Sequence, residues 1–83
     1  MPPTAWDFQN KLMVILNAAR QSGKPHIDVE SGHLYAQLGE HADSNRRMSV
    51  CCEVMRKMMR PGDSIVNDPP SGEDAKLMIR YRV

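Results

Sequence analysis

Two arginines, Arg46 and Arg47, stand side by side just ahead of an apolar stripe, and Arg56, Lys57 and Arg60 follow it at helical spacing. A guanidinium group can bind guanine or phosphate through two parallel hydrogen bonds, and lysine offers a mobile point charge. With Ser49 they make one candidate nucleic-acid-binding set: Arg46, Arg47, Ser49, Arg56, Lys57 and Arg60. The first three would approach bases and the last three phosphates. Positive charge at a helix N-terminus opposes the helix dipole, so Arg46 and Arg47 are poorly explained by helix stability alone. Arg56, Lys57 and Arg60 fall at the opposite end, where the dipole favours cations whatever they bind. Glu53 shares their face. It would repel phosphate unless it accepts from cytosine N4 or pairs with Arg56 or Lys57.

Other reactive residue types are sparse. Cys51 and Cys52 are the only cysteines. Adjacent helical positions diverge by about 100°, so the pair does not share one face and a disulfide between them would be strained. With His33 or His41 they match no zinc spacing, and Cys51 reads as small core filler. His26, His33 and His41 lack a nucleophile at recognisable spacing, and no carboxylate pair stands out. The expectation is therefore a protein without catalytic residues, cofactor or metal.

Composition limits the classes further. Eighty-three residues, 41% hydrophobic and 25% charged, suit one ordinary globular domain. No apolar run approaches the roughly 20 residues needed to span a bilayer, and the first residues lack the pattern of a secretory signal, so a cytosolic location is expected. The net charge of +1 is low for a nucleic-acid binder, but its distribution is uneven. Residues 1–43 carry three cations against five carboxylates, a net of −2, whereas residues 44–83 carry eight against five, a net of +3.

The elements that must position these groups follow from periodicity. Thr4 or Asp7 can cap a first helix over about 5–22, with Phe8, Leu12, Ile15, Leu16 and Ala19 on one face and Gly23 and Pro25 ending it. Trp6, just ahead of that stripe, is expected to lid the core. His26–Val29 alternates as a very short strand would. Ser31 or Asp28 can cap a second helix over 31–38, with Leu34, Tyr35 and Leu38 inward and Gly32 weakening its first turn. A third helix is expected over 45–60, with Cys51, Val54, Met55 and Met58 inward and Pro61-Gly62 as its stop. A hairpin over about 63–83 closes the chain: Ile65 and Val66 in one strand, a Pro/Gly-rich tip bearing Glu73 and Asp74, then Leu77, Ile79, Tyr81 and Val83 alternating with Met78, Arg80 and Arg82. Lys76, Arg80 and Arg82 would face solvent and discourage edge pairing.

The order helix, short strand, helix, helix, strand, wing, strand resembles the winged helix-turn-helix superfamily. Leu34-Tyr35-Ala36-Gln37-Leu38-Gly39 is similar to the Leu-Ala-x-x-Leu-Gly ending of many second helices in that group. The connection Glu40–Ser44 is longer than the usual tight turn. Asn45–Met55, Asp68–Gly72 and Leu77–Arg82 are also similar to a small bacterial family of uncharacterised proteins, some resembling segments near restriction-type nucleases. That resemblance implies a nucleic-acid neighbourhood and carries no catalytic residue.

The expectation is thus an α+β winged helix of three helices and a two- or three-stranded antiparallel sheet. Double-stranded DNA is its expected partner, met by the third helix. The alternative is an accessory domain binding another protein, favoured by near-zero charge, Glu53 and the acidic wing tip. The sequence does not fix the oligomeric state.

Overall fold

Thr4 opens the first helix by a reciprocal cap. Its hydroxyl oxygen accepts from the Asp7 backbone N–H at 3.3 Å, while the Thr4 backbone N–H donates to the Asp7 carboxylate at 2.8 Å. In a computed structural model, which describes residues 4–38, 48–70 and 75–83, this helix, α1, runs Ala5–Gln21. Phe8, Leu12, Leu16 and Ala19 are buried, as their spacing predicts, and Ile15 is half-buried. Gly23 then takes φ +78°, a left-handed conformation that a side chain would strain.

The remaining elements are β1 (His26–Glu30), α2 (Ser31–Gln37), α3 (Met48–Lys57), β2 (Ser64–Asn67) and β3 (Met78–Arg82). The result is a small α+β domain with three helices and one three-stranded antiparallel sheet in the order β1-β3-β2. The last strand is therefore central. Val29 lies opposite Ile79 and Ile27 opposite Tyr81, which puts their apolar side chains on the helix-facing side. On the other face Asp28 lies opposite Arg80 and accepts two hydrogen bonds from it, at 2.8 and 3.1 Å. Arg80 is thus partnered as well as outward-facing. Val66 falls at a bulge between the Ile65 and Asn67 pairings and is exposed.

Helix α2 departs from the expected capping. Glu30 is its N-cap and makes no side-chain cap bond. Its first turn is satisfied from the sheet side instead: Ser31 N–H donates to the Leu77 carbonyl and Gly32 N–H to that of Ala75, both at 2.8 Å. This close docking explains Gly32, because a Cβ there would lie 2.9 Å from the Ala75 carbonyl oxygen.

Helix α3 ends three residues before the expected Arg60; the first residues of the expected helix, 45–47, lie outside the described residues. Met59 N–H bonds to the Arg56 carbonyl at 3.3 Å, a tightened last turn, and Arg60 is biased out of helix by Pro61. The turn is then held by Asp63, whose carboxylate accepts from the Arg60 and Arg82 backbone N–H groups, each at 2.8 Å.

Two sequence expectations change in the core. Trp6 is no lid: it is 70% exposed, because Phe8 occupies the inward position of that turn. Cys52 is buried alongside Cys51, since α3 packs against both α1 and α2 and so buries more than one stripe. Tyr81 reaches through this core and its hydroxyl donates to the Met55 carbonyl at 2.7 Å.

Tyr81→Phe leaves that buried carbonyl without its partner. It should cost about 1–3 kcal/mol, and each kcal/mol lowers Tm by about 4–8 °C in a domain of this size, measurable by calorimetry. Gly32→Ala should cost a comparable amount, about 1–3 kcal/mol, by overpacking α2 against the backbone at Ala75.

Candidate nucleic-acid interface

The candidate set divides in space. Arg46 and Arg47 lie outside the described residues, as do Gly39, His41, Ser44 and the acidic wing tip Glu73-Asp74. Ser49 is the second residue of α3 and is half-buried. Arg56, Lys57 and Arg60 do not form one stripe. Arg56 turns toward the hairpin side and donates to the Asp68 carboxylate at 2.8 Å. Lys57 pairs with Glu53 one turn earlier, at 2.9 Å. Arg60 follows the helix and lines a groove with Arg20 of α1.

Each arrangement has a local cause. Glu53 and Lys57 are four residues apart with the acid on the N-terminal side, the favoured orientation on a helix. That pairing is one of the roles the sequence left open for Glu53. Asp68 comes to Arg56 because β2 runs back past the end of α3; the two are twelve residues apart, and no helical periodicity connects them. The Glu53–Lys57 pair is solvent-exposed and the Arg56–Asp68 pair is partly so, and exposed pairs contribute about 0–1 kcal/mol. The cations can therefore exchange a carboxylate for a phosphate at small cost. The carboxylates stay behind, however, and oppose the phosphate.

The face between α1 and α3 was not legible as a site. Val50, Val54 and Met58 form an apolar floor beside Ala5 and Gln9 at one end. Met58 continues into the second groove, of about 310 Å³, lined by Met13, Leu16, Asn17, Arg20, Met58 and Arg60. One signal in the sequence points there: Trp6, Met13 and Arg20 recur every seven residues, off the core stripe.

The cysteines are buried, not displayed. Cys51 donates its thiol hydrogen to the Ser31 carbonyl at 3.6 Å. Burial, and secondarily the neighbouring Cys52, push the Cys51 thiol up to about 12. Burial likewise raises the Tyr81 phenol, with Asp63 and Cys51 adding to the effect. Among the described residues no three His, Cys, Asp or Glu side chains gather as metal ligands, and no helix is long and apolar enough to cross a membrane.

Comparison of the chain with protein-family models, with curated proteins and with solved structures yields no match.

Two tests follow from the thiols. Iodoacetamide should leave Cys51 and Cys52 unmodified in the native protein at pH 8 and label both in denaturant, as read by intact mass. Both raised groups are neutral when folded, so their stabilisation is complete below the ordinary thiol value near 9. It declines as the unfolded thiol, then the unfolded phenol, ionises. Tm should be flat from pH 7 to about 8.5 and fall steadily between about pH 9 and 11, more shallowly in Cys51→Ala when compared with its own value at pH 7.

Proposed function

We propose that this domain is a non-enzymatic DNA-binding module of the winged-helix kind, in which the start of α3 meets the duplex. The observation that carries the reading is topological. The element order, with β3 between β1 and β2 and α3 feeding the β2–β3 hairpin, is similar to that of a winged helix and supports this reading. In that arrangement the helix before the hairpin enters the major groove.

Arg46, Arg47 and Ser49 are the residues assigned to bases, and Arg60 to phosphate. Arg56 and Lys57 are secondary phosphate contacts, since each must first leave a carboxylate. A second reading is a protein-interaction domain. The apolar floor of Val50, Val54 and Met58 beside α1 favours it, as does the local neutralisation of the α3 cations. Fold alone does not choose between them.

The deciding experiment is titration of isotope-labelled protein with duplex DNA at low and moderate salt, followed by amide shifts. DNA binding predicts shifts centred on residues 44–60 and a log K against log salt slope of about −3, for three phosphate contacts. No shifts at low salt would remove the reading. Arg46→Ala should cost about 1–3 kcal/mol and relax sequence preference; equal loss on every sequence would deny it a base-reading role. The double change Glu53→Gln with Asp68→Asn gives a signed check. A carboxylate about 7 Å from a phosphate repels it by about 0.6 kcal/mol in water, so each removal should tighten duplex binding about threefold.

A further inference from the structure

The largest exposed apolar side chain among the described residues lies on α1, and an apolar–cationic groove runs between that helix and the segment after α3; their spacing along α1 is self-complementary. Trp6 is 70% exposed and Met13 46% exposed. Arg20 lines the groove with Met13, Leu16, Asn17, Met58 and Arg60. Along α1, Trp6 is seven residues before Met13 and Arg20 is seven after it. At 1.5 Å per residue, each is displaced about 10.5 Å along the axis from Met13, in opposite directions. Seven-residue steps drift only about 20° per heptad, so the three form one stripe nearly parallel to the helix axis.

We propose that this face binds a second copy of the same chain, α1 against α1 antiparallel, about a two-fold axis through Met13. A two-fold operation there brings Met13 against its own copy and carries each Trp6 to the partner's Arg20 end, over the groove. Such an isologous contact uses each interaction twice. The chemistry of the groove fits an indole. The Arg20 and Arg60 guanidinium groups are drawn to the negative face of the ring, and the Met13 and Met58 thioethers pack against aromatic rings. Arg20 is steadied for that role, since it donates to the Asn17 side-chain oxygen at 3.0 Å. Two like cations at the groove disfavour a basic segment and favour the electron-rich ring. Gln9 falls opposite Asn17 of the second copy, so the polar positions of the stripe also meet.

The contact rests on one helix and one groove, toward the low end of interface sizes, and so yields a reversible dimer with a dissociation constant on the order of 10 μM. It is independent of DNA binding. Trp6 is the sole tryptophan, so its fluorescence reports this contact directly.

The test is sedimentation equilibrium and Trp6 emission between about 1 and 500 μM protein, a span bracketing that dissociation constant. The mass should rise from the 9.4 kDa monomer toward twice that value, with a blue shift of the emission over the same range. Trp6→Ala and Arg20→Ala, both changes at exposed positions, should each weaken association at least tenfold while leaving far-UV circular dichroism unchanged. A monomer with constant emission at 500 μM would overturn the proposal. So would a dimer that survives Trp6→Ala, which would place the interface elsewhere, or occupation of the groove by a different protein with this chain monomeric.

Discussion

The bond from the Tyr81 hydroxyl to the Met55 carbonyl is the point on which the two halves of the domain depend. Met55 lies in the last turn of α3, where carbonyls lose their helical partners. The neighbouring carbonyls are met by the chain itself: Val54 by Met58 N–H at 3.0 Å and Arg56 by Met59 N–H at 3.3 Å. Met55 is met by Tyr81, from the central strand, at 2.7 Å. This buried bond thus satisfies a helix end and ties α3, which is held by α1 and α2, to the central strand.

Other contacts make that placement rigid by working on backbone groups. The Leu77 and Ala75 carbonyls cap α2, and the Asp63 carboxylate joins Arg60 to Arg82. Both sites involve the central strand or the residues leading into it. The strand therefore organises α2, the turn after α3 and both of its neighbours. In a domain of 83 residues, with limited apolar area to bury, such directional bonds decide orientation while the apolar cluster supplies the driving force.

The fold was largely readable because its signals are local. The stripe Phe8, Leu12, Leu16 and Ala19 and the alternation Leu77, Ile79, Tyr81 each identify an element within one window of sequence. What escaped depends on contacts between distant segments. Glu30, not Ser31 or Asp28, ends up as the N-cap of α2 because carbonyls more than forty residues later take the donors. Cys52 is buried because a third helix held by two others has no simple inward stripe. Trp6 is exposed because Phe8 takes the inward position. The pairing of Arg56 with Asp68 needs the return path of β2. Candidate-site residues were therefore legible by type, and their neutralising partners were legible only where helical spacing joined them, as for Glu53 and Lys57.

Charge then sets what the two faces of the domain can do. A net charge of +1 leaves little long-range attraction for a polyanion, so the proposed duplex binding would have to come from a few close contacts. Among the described cations of the set, Arg60 borders both proposed surfaces. It follows the last turn of α3, and it lines the groove beside Arg20. A guanidinium covered by an indole can keep its edge donors while its face is occupied, because stacking uses the plane and hydrogen bonding uses the rim. Dimer and duplex therefore need not compete for Arg60.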